Sequence, residues 1–177
     1  MSPEELAERF SRLFPRAPSH LTPANPPTGP DMVSDPATQG HEESPSPVRI
    51  LDHAKRGCHL EVVLGPEQVV AAAGVMDENG FALDAVTGVD WIAESQLEVI
   101  YDYFHPLNGM RVAARARIPR ETPEIPTISN VFAGANWHER ETHDFFGIRF
   151  LGHPDLTPLL LPEDATYHPL RKDFSGE

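Results

Sequence analysis

The sequence predicts an α+β fold: a small mixed α/β sandwich with an antiparallel hairpin, followed by a helix and a long extended C-terminal arm. Three observations support this prediction. Two segments of alternating polarity flank an Asn-Gly pair, apolar residues recur at helical spacing in other segments, and the last stretch is rich in both proline and leucine.

Composition narrows the classes of function before any motif is considered. The 177 residues include 14 Lys and Arg against 27 Asp and Glu, so the formal net charge is −13. This charge argues against nucleic-acid binding and against direct contact with an anionic membrane. The single cysteine, Cys58, rules out an internal disulfide, a Cys-rich zinc site and a Cys-ligated iron–sulfur cluster, and a reducing, cytosolic setting is expected. No apolar stretch approaches about 18 residues, and no secretion signal is visible, so neither membrane insertion nor export is predicted.

Residues 1–47 are predicted to form a short amphipathic helix and a disordered proline-rich leader. Ser2 and Glu5 have capping-box spacing at the start of the helix, which runs from Pro3 to Phe14. Its apolar side chains lie on one stripe: Leu6, Phe10, Leu13 and Phe14. The following segment, up to Pro47, is too polar to bury much apolar area. It is interpreted as a linker, with a partner-binding tether that docks through the helix as the alternative.

Residues 48–126 are predicted to form the α+β core. The expected elements are a short helix or turn at Val48–Arg56, a strand at His59–Leu64, a helix at Glu67–Val75 and a strand at Phe81–Asp90. In this last strand Phe81, Leu83 and Ala85 are expected on one face.

A hairpin is the clearest local prediction in the core. Leu97–His105 and Met110–Ile118 both alternate, and Asn108-Gly109 between them is a strong two-residue turn signal. If these two residues form the turn, Asp102 lies opposite Arg115 and Val99 lies opposite Ile118.

Three arginines, Arg111, Arg115 and Arg117, share one face of the second hairpin strand. They suit an anion site, but a solvated face balanced by Glu98 and Asp102 is the favoured interpretation.

Residues 127–177 are predicted to form a helix and the extended arm. Helical spacing runs from Ile128 to Phe146, and Gly147 is a suitable residue to end the helix. The remaining residues are broken by prolines, yet they contain many leucines and two phenylalanines, so they must pack on something. Packing on the chain's own core and packing across a partner protein both remain open.

Familiar enzyme motifs fail on spacing. His138 and His143 are five residues apart, whereas a zinc-protease helix needs histidines at i and i+4. No dinucleotide fingerprint, P-loop or nucleophile elbow is present. Cys58 is interpreted as a small thiol without a catalytic role. No catalytic centre is therefore predicted in this chain, and a free-standing small enzyme is the least favoured hypothesis.

One segment near the C-terminus carries a much more specific sequence pattern than the rest of the chain. Residues 136–174 read NWHERETHDFFGIRFLGHPDLTPLLLPEDATYHPLRKDF. They closely resemble the C-terminal signature of the 30 kDa (C) subunit family of respiratory complex I, the proton-pumping NADH:quinone oxidoreductase, which is related to C subunits of membrane-bound hydrogenases. The family pattern has an E-R-E-x-x-D helix, then G-I-x-F-x-G-H-P-D-L, a Pro-acid turn, and H-P-L-R-K-D. A looser resemblance reaches back to about Val48 and does not include the proline-rich leader.

The sequence departs from this pattern at two places. Thr157 and Pro158 stand where the family usually has two arginines after G-H-P-D-L. Ala165, Thr166 and Tyr167 stand where it usually has Trp-x-Gly. Both places lie in the arm, so the partners are expected to differ somewhat from those of standard complex I.

The resemblance implies a structural subunit of the hydrophilic arm, without a cofactor or catalytic residues of its own. Its expected partners are the large 49 kDa-type subunit, which helps to form the quinone cavity, and iron–sulfur subunits. Partner subunits would carry the iron–sulfur clusters and flavin. The expected location is peripheral, on the cytoplasmic side of the cell membrane. The equivalent subunit of a membrane-bound hydrogenase or another complex I-related complex is the alternative.

By this resemblance, the signature helix and the arm form the contact surface with other subunits. Arg140 and Arg171 suit bidentate carboxylate pairs, and Glu139, Glu141 and Asp144 would receive partner arginines. The His153-Pro154-Asp155 sequence should form a rigid turn, and Leu159–Leu161 would act as apolar anchors. The full predicted interface set is Glu139, Arg140, Glu141, Asp144, Gly147, His153, Pro154, Asp155, Leu159, Leu160, His168, Pro169, Arg171, Lys172 and Asp173.

Overall fold

A five-stranded sheet forms the centre of the chain in the computed structural model, which describes residues 2–15 and 46–176. The helices are α1 (Pro3–Leu13), α2 (His53–Arg56), α3 (Val69–Glu78) and α4 (Ala135–Phe146). The strands are β1 (Val48–Ile50), β2 (Leu60–Leu64), β3 (Ala82–Trp91), β4 (Gln96–Phe104), β5 (Arg111–Pro119), β6 (Glu124–Pro126) and β7 (Arg149–Leu151). The α+β fold class predicted from the sequence is therefore confirmed.

The large sheet is mixed, with the order β1-β2-β5-β4-β3. Only β2 and β5 pair in parallel, while the other neighbours are antiparallel. The two short strands β6 and β7 form a separate parallel pair. No helix in the described part of the chain is long and apolar enough to cross a bilayer.

Helix α1 packs on the chain's own core. The capping box of Ser2 and Glu5 is present, and Leu6 and Phe10 are fully buried. These side chains therefore pack within this chain, and in this structure they are not available to dock on a partner protein. Because burial of an apolar stripe stabilises a short helix, this contact explains why three turns suffice. Most of the predicted disordered leader, residues 16–45, lies outside the described residues.

The hairpin forms, but its register differs from the prediction by two residues. Val99 pairs with Ala116, Asp102 pairs with Ala113, and the loop is Pro106–Gly109 rather than Asn108-Gly109 alone. His105 donates its N–H to the Met110 carbonyl and accepts the Gly109 N–H, so the ladder closes on a four-residue loop. A shift of two residues keeps every side chain on its predicted face.

Other element boundaries also differ from the sequence predictions. Val48–Ile50 is a strand because it pairs with β2, and only the following α2 is helical. A bulge between Leu83 and Ala85 shifts the alternation of β3, so that Val86 faces the core. Helix α4 begins at Ala135 rather than Ile128, because Ile128 donates its N–H to the Glu139 carboxylate and starts a turn.

One hydrophobic core takes side chains from all parts of the described chain. On the inner face of the hairpin the buried side chains alternate regularly: Leu97, Val99, Tyr101, Tyr103, Val112, Ala114, Ala116 and Ile118. Residues of α1, α3 and α4 complete this core. It holds the C-terminal part of α4 against β3, where the Phe146 ring packs directly on Gly88.

The arginine face of β5 is paired within the chain. The Arg115 Nε lies 2.7 Å from Glu61, Arg117 pairs with Glu94, and Arg111 lies 2.9 Å from Asp84. Each arginine already has a carboxylate partner, so the face is balanced in charge as predicted rather than an open anion site. The prediction of a solvated face balanced by Asp102 was wrong, because Arg117, Glu61 and Glu98 are buried and the partners are other carboxylates.

Candidate functional site: helix α4 and the C-terminal arm

Asp144, near the end of α4, is the main attachment point of the arm, residues 148–176. One of its oxygens, Oδ2, accepts hydrogen bonds from the backbone N–H groups of Leu159, Leu160 and Leu161 at 2.9, 2.7 and 3.2 Å. Burial raises the pKa of Asp144, but the three N–H donors outweigh this effect and leave it below its usual value. The carboxylate expected to receive a partner arginine is therefore occupied by this chain.

Arg140 lies one turn earlier on α4 and binds the same part of the arm. Its guanidinium donates to the carbonyls of Thr157 and Pro158 at 3.0 and 3.2 Å, and to the Thr157 hydroxyl at 3.1 Å. It also lies 5.5 Å from the ring centre of Trp137. Arg140 thus binds Thr157 and Pro158, the first of the two places at which the sequence departs from the family pattern, rather than a carboxylate.

The carbonyl end of α4 is capped by a second part of the arm. Gly147 ends the helix with a φ of +72°, a conformation that glycine adopts without strain. His168 Nδ1 donates to the Asp144 carbonyl at 2.9 Å, and Arg171 Nε donates to the Phe146 carbonyl at 2.8 Å. Donors at this end satisfy carbonyls that have no partner within the helix, and a cation there complements the helix dipole.

The last part of the arm is fastened to the sheet. Asp90, at the end of β3, accepts the Lys172 backbone N–H at 2.8 Å and two hydrogen bonds from the Arg120 guanidinium. Arg120 also contacts Asp173 at 2.6 Å. Burial opposes ionisation of Asp90, but Arg120 and the Lys172 N–H lower its pKa overall.

Glu139 is completely buried, and the side chain of His153 beside it is buried as well, unlike most of the predicted interface residues. Its carboxylate contacts the Thr127 hydroxyl at 2.5 Å and the Ile128 N–H at 2.8 Å. His153 lies nearby, with Nε2 at 3.8 Å from the carboxylate. Burial raises the pKa of Glu139 to about 7 despite the two hydrogen bonds. In this chain Glu139 holds the segment before α4 through Thr127 and Ile128.

The arm directs its polar groups inward and many of its apolar side chains outward. Leu160 is 59% exposed and Leu170 is 52% exposed, while the neighbouring Trp137 of α4 is 61% exposed. Tyr167 and Phe174 are also exposed, and their rings stack with centres 5.5 Å apart. The stacked pair and the exposed leucines of the same segment make the arm a candidate for contact with another protein.

The remaining predicted residues are distributed over this surface. Glu141, Pro154, Asp155, Lys172 and Asp173 are exposed, whereas Leu159 and Pro169 are half-buried. The expected turn at His153–Asp155 is present: His153 Nδ1 accepts the Asp155 N–H, and Asp155 accepts the Thr157 N–H.

Sequence reasoning missed the residues that receive the arm. Asp90 and Arg120 lie far from the signature in sequence, and nothing in their local pattern marks them. Thr127, which binds Glu139, is the first residue after a proline-rich segment, and this position was only a weak indication of its role. Within the described ranges no group of three or more His, Cys, Asp or Glu side chains is arranged to hold a metal ion.

Comparisons with known proteins agree with this architecture. The chain is 37% identical over 132 residues to the C subunit of the NADH-quinone oxidoreductase of Roseiflexus sp. strain RS-1, covering 72% of this chain and 76% of that protein. It is 45% identical over 98 residues to the C subunit of the F(420)H(2) dehydrogenase of Methanosarcina mazei, covering 53% of this chain and 60% of that protein.

Two solved structures are similar in fold. A chain of the membrane-bound sulfane sulfur reductase, an archaeal respiratory membrane complex, matches with a TM-score of 0.62 and 28% identity, covering 68% of this chain and 74% of that one. The trypsin-resistant fragment of Nqo5 matches with a TM-score of 0.54 and 30% identity, covering 62% of this chain and 89% of that one.

The family comparison covers most of the large sheet, α4 and the arm together. Residues 62–177 match the model for the respiratory-chain NADH dehydrogenase 30 kDa subunit. The matched range contains the hairpin, α4 and every arm residue that binds α4. This chain therefore belongs to the family of the 30 kDa (C) subunit of complex I-type NADH-quinone oxidoreductases and related complexes.

Proposed function

We propose that this chain is a cofactor-free structural subunit in the hydrophilic arm of a proton-pumping NADH:quinone oxidoreductase. It packs against the large 49 kDa-type subunit that helps to form the quinone site, and it lies near the iron–sulfur subunits. The observation that carries this proposal is the packing of the arm. Backbone groups of the arm form hydrogen bonds within the chain, while several of its apolar side chains are exposed to solvent.

The exposed side chains are of the kinds that protein interfaces use as anchors. Tryptophan, tyrosine, phenylalanine and leucine lose contact with water when a partner covers them, and each buried Å² contributes about 25 cal/mol. Trp137, Tyr167 and Phe174 are all exposed in the isolated chain. Arg140 is already bound to the arm, so apolar anchors rather than arginine–carboxylate pairs dominate the proposed contact.

The redox chemistry belongs to other subunits in this proposal. Cys58 is the chain's single cysteine, and burial raises the pKa of its thiol, which disfavours the thiolate that metal clusters require. Iron–sulfur clusters and flavin are therefore assigned to the partners, and quinone contacts this chain only indirectly. The protein is held peripherally on the cytoplasmic side of the membrane through the complex.

A second candidate is the equivalent subunit of a membrane-bound hydrogenase or another complex I-related complex. It is supported by the similarity to chains of an F(420)H(2) dehydrogenase and a sulfane sulfur reductase. Neighbouring genes distinguish the two: genes for NADH-oxidising flavoproteins favour the first, and nickel-site maturation genes favour a hydrogenase.

The proposed contact is tested by purifying the complex from membranes with tagged variants. Leu160→Asp and Leu170→Asp place a charge on the outward face of the arm without removing a hydrogen bond. Leu107→Asp is the matched control, since Leu107 is 91% exposed at the hairpin tip. We expect the arm variants to recover far less of the large subunit than the control does. Undiminished recovery with both folded arm variants would refute the proposed contact.

A further inference from the structure

The carboxylate of Glu139 is buried without a positively charged partner, and its role in holding the segment before α4 does not require this. The carboxylate is fully buried, and its hydrogen-bond donors, the Thr127 hydroxyl and the Ile128 N–H, are both uncharged. Among the described residues, no lysine or arginine forms an ion pair with it. A buried carboxylate without a positive partner is costly to ionise.

Three titratable side chains face Glu139 from other elements: His153, Tyr101 and Tyr103. His153 Nδ1 accepts the Asp155 N–H at 3.1 Å, so its proton lies on Nε2, which is 3.2 Å from the Asn136 carbonyl. The Nε2 hydrogen is directed at the Asn136 carbonyl, and the Glu139 carboxylate lies farther from Nε2, at 3.8 Å. From β4, burial raises the pKa values of Tyr101 and Tyr103, so both phenols remain neutral.

A chain of hydroxyl groups connects Glu139 with the surface. The Thr127 hydroxyl oxygen lies 2.5 Å from the Glu139 carboxylate and 2.8 Å from the Ser129 hydroxyl oxygen. Ser129 is half-buried, so it reaches solvent, whereas Thr127 is buried. The hydrogen of each hydroxyl can point either toward Glu139 or away from it, which is the requirement for passing a proton along the chain.

We propose that Glu139 is a buried proton-binding site, loaded and emptied through the hydroxyls of Thr127 and Ser129. In the empty form the carboxylate accepts hydrogen bonds from the Thr127 O–H and the Ile128 N–H. When a proton arrives from water, the Glu139 O–H donates to Thr127 Oγ1, and Thr127 turns its own hydrogen toward Ser129. One proton is taken up, and no other covalent bond is changed in the net step. Burial sets the pKa of Glu139 at about 7, so exchange occurs at neutral pH.

The titration of the site is measured by NMR on the full chain labelled with ¹³C at the glutamate side-chain carboxyls. We expect one carboxyl signal to titrate near pH 7 and to disappear in Glu139→Gln. Glu141→Gln, on the exposed side of the same helix, should leave this signal unchanged. If no glutamate carboxyl titrates between about pH 6 and pH 8, the proposal is overturned, and this measurement needs only the natural chain.

Two further variants test the route. Thr127→Val removes a donor to the charged form, so the Glu139 midpoint should move to higher pH. Ser129→Ala leaves the direct contacts of the carboxyl in place, so it should slow proton exchange and broaden the signal while the midpoint stays nearly the same. An unchanged midpoint in the first variant, or unchanged exchange in the second, contradicts the hydroxyl route.

Discussion

Replacing Asp144 with alanine tests how the arm is attached. Asp144 Oδ2 is the common acceptor of three backbone N–H groups, those of Leu159, Leu160 and Leu161. A partly buried N–H that loses its acceptor costs about 1 kcal/mol, so three cost about 3 kcal/mol. The variant also removes a negative charge from a helix C-terminus, which returns about 0.5 kcal/mol. We expect Asp144→Ala to lower the free energy of unfolding by about 2–3 kcal/mol.

Urea unfolding gives the loss of stability, and hydrogen exchange locates it. The amides of Leu159–Leu161 should lose protection while those of the hairpin keep theirs. Asp164→Ala, which removes an exposed carboxylate from the same arm, should change the stability by less than about 0.5 kcal/mol. Equal stability and equal amide protection in Asp144→Ala and the natural chain would show that the carboxylate does not hold the arm.

The same contact has a defined pH dependence. The pKa of Asp144 is lowered in the folded chain, so its contribution is complete above the unfolded value of about 3.9. The contribution is lost as the pH falls through the lower, folded value. Acid should therefore weaken the natural chain more than Asp144→Ala, and parallel acid-unfolding curves would contradict this assignment.

Two further substitutions test the packing around this site. Gly147→Ala should destabilise the chain by about 2–3 kcal/mol in a urea titration, because it strains a left-handed residue and brings a methyl group against the His168 ring. Gly109 has the same φ of +72° but open space around it, so Gly109→Ala should cost about 1 kcal/mol in the same titration. Equal losses of stability in the two glycine variants would contradict the proposed clash with the His168 ring. Phe10→Ala should cost about 3–5 kcal/mol by thermal or urea unfolding because it empties a buried site, and the exposed Leu13→Ala, its control, should cost far less. A loss below about 1 kcal/mol for Phe10→Ala would mean that α1 does not pack on the core.

Local signals predicted the elements that depend on local chemistry. The Ser2–Glu5 capping box and Gly147 mark helix ends because each satisfies backbone groups within a few residues. The hairpin was predicted with the correct faces for the same reason, since alternation is a local property. Its register was wrong because the loop has four residues, closed by the hydrogen bond from the His105 N–H to the Met110 carbonyl, rather than the two that the Asn-Gly signal indicated.

The site was predicted less completely because it depends on contacts between distant parts of the chain. The resemblance drew attention to residues 136–174, but it could not show where the charged groups point. Glu139 and Asp144 belong to one motif, yet the first is buried under Thr127 and the second binds backbone N–H groups of the arm. Asp90 was missed because its partner, Lys172, is 82 positions away.

The inward fastening of the arm has a consequence for the assembly of a larger complex. A segment that folds only on binding must lose its conformational entropy at that moment, and this loss reduces the affinity. Here Asp144, Arg171 and Asp90 have already fixed the backbone. Leu160 and Leu170 are therefore presented on a preorganised surface. A protein that covers them can dock as a rigid body, and most of the apolar area it buries then contributes to affinity.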